Sequence, residues 1–209
     1  MLDAAQNRST TLEIRMQHAD SLPAGDRELM GRLAKGDTLA MRELIAIYGQ
    51  RMYAYALRLT GDPSQAEDVV QDSLVAAWQG AKRFRGSGRL IAWLLGIVHH
   101  RAMESIKRSY RAIEQGMGEA AAALVAGDPP PEEQTALSEQ RGLLRAGLRR
   151  LSPEHRAVLE LVFYQGLSLQ EAAEVCGVPV GTVKSRLNYA KSSLRGILIR
   201  AGFSAEDFE

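Results

Sequence analysis

A single cysteine, Cys176, in 209 residues excludes an internal disulfide framework. Cys176 and four scattered histidines, His18, His99, His100 and His155, do not make a Cys-rich zinc site either. His99 and His100 are adjacent, about 100° apart on a helix, so they cannot chelate one metal from one face, and surface positions are expected for both. No metal and no cofactor is expected, and this cysteine usage predicts a reducing, cytoplasmic setting. Long hydrophobic runs are also lacking. The longest, Ala120–Ala126 and Leu90–Val98, are half or less of a bilayer span. The N-terminal MLDAAQNRST lacks the basic-then-apolar pattern of an export signal. No carboxylate–histidine cluster of catalytic spacing and no phosphate-cradling glycine loop occurs, so no enzyme is expected. What is present, 45% hydrophobic and 24% charged residues, excludes disorder throughout and suits one or two small soluble domains.

Net charge is nearly absent at +1, which taken alone argues against a nucleic-acid partner held by bulk charge. The neutrality is a cancellation. Residues 1–81 hold 8 basic and 11 acidic residues, and residues 82–111 hold 8 basic and 1 acidic. Residues 112–140 hold no basic and 6 acidic residues, and residues 141–209 hold 10 basic and 7 acidic. A block with about a quarter of its residues cationic is the footprint of phosphate contact, although a solvated helix face gives the same count.

Apolar spacing is helical nearly everywhere and no stretch alternates as a strand does, so the fold class is all-α. Met41, Leu44/Ile45, Tyr48, Met52, Tyr55 and Leu59 mark a helix capped by Asp37 and stopped by Gly61. Asp62-Pro63, with Gln65 placed for a capping box, opens a second helix to about Gly80, with Val70, Leu74 and Ala77 facing the core. A third starts near Arg89, with Ile91, Leu95, Val98, Ala102 and Ile106 on one face. Between these two lies a basic, Gly-containing loop, Lys82 to Arg89. The alanine run and Asp128-Pro129-Pro130-Pro131 then mark an interdomain linker. The expected plan is an N-terminal extension 1–25, a domain 26–112, a linker 113–137, a domain 138–200 and a tail 201–209. Two small helical domains thus flank a flexible acidic linker.

In the C-terminal domain, Ser152-Pro153-Glu154 opens a helix by cap and proline. Ser168-Leu169-Gln170-Glu171 is a capping box, Ala173 is small where helices cross, Gly177 is free to take positive φ, and Val183 anchors the next helix. Together they form a helix-turn-helix. Its second helix presents Thr182, Lys184, Ser185, Arg186, Asn188 and Lys191, a composition suited to base edges and phosphates in a major groove; a helical hairpin with a polar surface is the plainer alternative. Cys176 reads as a small buried hydrophobe beside the turn.

Through Leu151-Ser152-Pro153, Gly166-Leu167-Ser168 and Gly181-Thr182-Val183-Lys184, this half also resembles the output domains of LuxR-type regulators. The N-terminal half separates the two. Ala66-Glu67-Asp68-Val69-Val70-Gln71-Asp72, Ala77-Trp78, Phe84 and Trp93-Leu94-Leu95-Gly96-Ile97-Val98, in that order, resemble the second conserved region of bacterial extracytoplasmic-function (ECF) sigma factors of the sigma-70 family. The C-terminal motif then resembles their fourth region. The resemblance covers about residues 26–112 and 138–197, and it implies a transcription initiation factor that catalyses nothing itself. Its partners are core RNA polymerase (the β′ clamp helices and the β subunit), promoter DNA and an anti-sigma factor, with no membrane contact of its own. The matching residues make Glu67, Asp68, Gln71 and Asp72 the polymerase-binding set. Lys82, Arg83, Phe84, Arg85, Arg89, His100, Arg101, Lys107 and Arg108 are assigned to the melted minus-10 element, where cations hold the backbone and an aromatic captures an unstacked base. Phe84 is equally a core residue by its chemistry, and Trp93 reads as core. Where this chain has His100 and Glu104 the family often has asparagine and aspartate. Thr182, Lys184, Ser185, Arg186, Asn188 and Lys191 fall to the minus-35 duplex. The family's linker threads the polymerase cleft until RNA displaces it, although a plain tether has the same composition. The rival is a non-sigma helix-turn-helix regulator with an N-terminal sensor domain.

Overall fold

The computed structural model describes residues 24–84, 86, 88–115 and 146–200, with the side chains of Ala24 and Arg200 left aside. Every regular element among the described residues is helical. Helix α1 (Ala24–Ala34) packs on α2 (Thr38–Thr60), where Tyr48 donates a hydrogen bond to Asp26. Asp37 caps α2 by accepting the Leu39 N–H at 2.8 Å, and Gly61, at φ 75°, ends it. Leu44, Tyr48, Met52, Tyr55 and Leu59 are buried as their spacing requires, while Ile45 stands exposed.

Helix α3 (Pro63–Gly80) is capped by Asp62, which accepts the Gln65 N–H at 2.6 Å. The reciprocal half of the expected box is supplied differently: the Asp62 N–H points to Thr60 Oγ1 at 3.4 Å. The inward stripe also differs from expectation. Ala66, Val69, Ser73 and Ala77 are buried, and Val70 and Leu74 sit half-buried at its edge. Both α2 and α4 cover α3, which turns the buried arc toward Val69, and Ser73 tolerates burial by donating to the Val69 carbonyl at 2.6 Å. A 3-10 turn (Ala81–Arg83) leads to α4 (Leu90–Glu114), so the basic segment begins as a helical turn rather than a loop. Of the expected linker 113–137, Ile113 and Glu114 close α4 and the part beyond residue 115 lies outside the described residues, as do residues 138–145, the extension 1–23 and the tail 201–209.

In the second half, α5 (Pro153–Leu159) is capped by Ser152 and runs into a π-helical turn, Glu160–Tyr164. Helix α6 (Leu169–Cys176) and α7 (Val180–Arg200) follow. One hydrophobic cluster runs through both halves, which meet where α6 packs on α4 and α5 on α2. This packing corrects the expectation for His99. It is 9% exposed, not at the surface, with Nδ1 2.9 Å from the Tyr55 hydroxyl. Helix α4 is covered on two sides, so its buried arc is wider than a single amphipathic stripe predicts.

Candidate functional site

The acidic set lies together. Glu67, Asp68, Gln71 and Asp72 are all exposed, along the outer face of α3. Beside them, Met41 and Ile45 of α2 and Leu74, Val75 and Trp78 of α3 line an open apolar groove that also includes Gln71. Ile45 and Val75 are exposed large apolar residues that the core does not use. Sequence periodicity missed this groove; its one signal is that Val75 falls outside the buried stripe of α3.

On the opposite wall of a second cleft, Asp68 and Asp72 of α3 face Arg101 and Arg108 of α4. At about 100° per residue, His100, Arg101, Glu104, Lys107 and Arg108 fall within about 120° of one another on α4. His100, Lys107 and Arg108 are exposed and Arg101 is half-buried. Glu104, the one acid in the basic block, approaches His100 Nε2 at 3.4 Å and Arg101 at 3.5 Å. Lys82 and Arg83 are exposed at the 3-10 turn, and Arg85 lies outside the described residues. Phe84 and Trp93 pack together with ring centroids 5.0 Å apart and both rest half-buried on the core. Arg89 points elsewhere: its guanidinium donates to the Gly166 carbonyl at 3.1 Å and lies 3.9 Å from Glu171 of α6.

The helix-turn-helix is built by local chemistry. Ser168 Oγ accepts the Glu171 N–H at 3.1 Å, and Glu171 accepts the Ser168 N–H at 2.8 Å. Gly177 takes φ 64°, and Ala172, Ala173 and Val183 are buried in the crossing. With Val183, Leu187 and Ala190 inward, Ser185, Asn188 and Tyr189 lie within about 60° of the outward direction on α7. Lys184 and Lys191 are exposed, while Thr182 and Arg186 are half-buried. Lys191 flanks one side, its ammonium 5.5 Å over the Phe163 ring. Arg186 flanks the other, near His99, Glu154 and Cys176, whose titrations its charge affects. Burial pushes the Cys176 thiol up to about 11. The six residues read from the sequence therefore do not form one flat face.

Sequence reasoning also missed the polar contacts between the halves. Glu160, 3% exposed, pairs with Arg58 of α2 at 2.8 Å and accepts from Gln165 at 3.2 Å. Burial raises its carboxyl above the usual range, and Arg58 and the Gln165 bond oppose that rise. Arg51 donates to the Gln165 side chain at 3.1 Å and to its carbonyl at 2.9 Å. Arg156 reaches the Arg58 and Leu59 carbonyls at the end of α2 at 3.0 and 3.2 Å. An isolated acid inside Val158-Leu159-Glu160-Leu161-Val162 was the available signal for a buried pair. Among the described residues, no group of three or more His, Cys, Asp or Glu is placed to hold a metal, and no helix is long and apolar enough to cross a membrane.

These surfaces coincide with two family models: Sigma-70 region 2 matches residues 44–112, and Sigma-70, region 4 matches residues 147–196. The chain is 36% identical over 170 residues to the ECF RNA polymerase sigma factor SigL of Mycobacterium tuberculosis, covering 81% of this chain and 94% of the relative. It is 33% identical over 171 residues to ECF RNA polymerase sigma factor EcfG of Rhodopseudomonas palustris, covering 82% and 91%. Among solved structures, CnrH in complex with the cytosolic domain of CnrY superposes with a TM-score of 0.60 at 27% identity, over 85% of this chain and 99% of that one. The sigma factor RpoE of Bartonella quintana in complex with the anti-sigma factor NepR gives 0.59 at 27%, over 75% and 95%. Region 2 with its acidic and basic helices, region 4 with its helix-turn-helix, and relatives matched along nearly their whole length place this chain in the ECF sigma factors of the sigma-70 family, which direct RNA polymerase to promoters.

Proposed function

We propose that this sigma factor docks on the clamp helices of core polymerase through Glu67, Asp68, Gln71 and Asp72, with the Met41–Ile45–Leu74–Val75 groove taking apolar side chains beside them. The observation that carries the reading is the adjacency of α3 and α4, whose exposed acids and basic stripe meet along one cleft, so that polymerase and DNA are engaged side by side. Charge complementarity sets encounter and register, and the groove adds burial. Lys82, Arg83, Arg85, His100, Arg101, Lys107 and Arg108 then hold the melted minus-10 strand, with Phe84 and Trp93 as the adjoining aromatic pair. Thr182, Lys184, Ser185 and Asn188 read the minus-35 duplex from α7, with Arg186 and Lys191 at its flanks. The factor acts in the cytoplasm and catalyses nothing itself. An anti-sigma factor that masks these faces is the inferred regulator, a reading supported by the structure of RpoE of Bartonella quintana in complex with the anti-sigma factor NepR.

The test is reconstitution with core polymerase and run-off transcription. Reversing Asp68 and Asp72 to Lys is expected to abolish co-purification with core enzyme while the helical circular dichroism and melting temperature hold. Undiminished binding removes that face from the docking surface.

A further inference from the structure

Tyr189 stands on α7 in a position that no role above uses. It is 60% exposed, and at about 100° per residue it projects about 40° from Ser185, on the outward side of the helix. It lies seven residues beyond Thr182, hence two turns along the same face. Its ring is held: the centroid sits 4.4 Å from that of His155, with the planes 35° apart. His155 is held in turn, its Nδ1 2.8 Å from the hydroxyl of Ser152, the N-cap of α5. An exposed aromatic on a recognition helix is thereby fixed by a side chain from another helix. Such preorganisation lowers the entropy cost of a contact.

We propose that Tyr189 is a specificity-determining residue for the minus-35 duplex, its ring packing on the C5 methyl of a thymine in the major groove, with His155 as a positioning residue behind it. The proposal rests on the assignment of α7 to that duplex. The methyl is the one apolar group that base edges present in the major groove, and an exposed ring held in place by His155 can pack on it. The neighbouring outward residues, Ser185 and Asn188, are polar and suit the flanking donors and acceptors.

The experiment uses holoenzyme formed from core polymerase and the full chain, selecting from a promoter pool randomised across the minus-35 element. The wild type is expected to select thymine at one or more positions. Tyr189→Ala is expected to lose that preference at one position and keep the others, which also reports that the domain is folded. Tyr189→Phe is expected to retain it, and His155→Ala to weaken it. On a selected promoter, uracil in place of that thymine is expected to bind the wild type about fourfold more weakly, the worth of one buried methyl, and the Tyr189→Ala variant equally well. Unchanged selection by Tyr189→Ala, or indifference of the wild type to uracil, overturns the proposal and leaves α7 as the reader. A holoenzyme that selects no base at minus-35 overturns the assignment of α7, and the proposal with it.

Discussion

His99 is neutral at physiological pH because burial holds its pKa down to about 4, with the charges of Arg186 and His100 adding to the effect and Glu154 opposing it. In the unfolded chain the same group titrates near 6.5. The unfolded state therefore takes up the proton first, and this contribution is full above pH 6.5 and lost as pH falls toward about 4. The expected loss between pH 7 and pH 5 is about 2 kcal/mol. Urea unfolding at the two pH values checks it. His99→Gln, which keeps an acceptor for the Tyr55 hydroxyl, is expected to flatten most of that difference. At this scale the exposed carboxylates of α3 and the cations of α4 were legible in the sequence, because charges left unpaired must face water. His99 and Glu160 were not, since their burial depends on partners that lie far away in the chain, Tyr55 and Arg58.

Caps and stops made the elements legible. Asp37, Asp62, Ser152 and Ser168 each accept a backbone N–H at the helix start their sequence marks, and Gly61 and Gly177 end helices at positive φ. Gly177→Ala places a Cβ at φ 64° and is expected to cost about 1–2 kcal/mol. It should also lower affinity for promoter duplex, because the turn sets the angle of α7 to α6. Chemical denaturation and a promoter-binding titration measure the two effects, and equal stability with Ala would remove the glycine requirement. The π turn at Glu160–Tyr164 had no such signal. One residue of extra winding carries no composition signature, yet the turn closes with the Gln165 N–H on the Glu160 carbonyl at 2.9 Å, in the stretch whose Glu160 and Gln165 meet Arg58 and Arg51 of α2. The alternation of buried and exposed positions on α3 was legible only to within one residue, because two neighbours rather than one cover that helix.

At the scale of the whole molecule, the two halves are held together through Arg58–Glu160, Arg51–Gln165, the Arg156 bonds to α2 and the Arg89 contacts with Gly166 and Glu171. Promoter elements some 25 base pairs apart are ~85 Å apart along B-DNA. Helix α4 touches α6, so the proposed reading of both elements at once requires that contact to part; a chain of 30 residues, the number between 115 and 146, can span at most ~100 Å. Cys176, the sole thiol, reports the event. It lies on α6 near the buried Tyr55 across the interface, and burial raises its pKa to about 11. Its alkylation at pH 8 is expected to run roughly two orders of magnitude below that of an open thiol. Arg58→Glu, which sets two carboxylates against each other, or promoter-bound holoenzyme, is expected to raise the rate at least tenfold. A rate unaltered by both would show that the halves stay packed.

The sequence by itself determined the class of the protein and its helices. Caps, glycines, apolar period and segment charges act within a few residues of where they stand, and the residue types carrying the family resemblance sit in them. Tertiary structure alone decided which faces remain free. The burial of His99, the turn of Arg89 toward α6, the flank position of Arg186 and the clasp of His155 on Tyr189 depend on α4 meeting α6 or α5 meeting α7, and the burial of Glu160 depends on its turn meeting Arg58 of α2. Such contacts join residues tens of positions apart, and no local period or spacing encodes them.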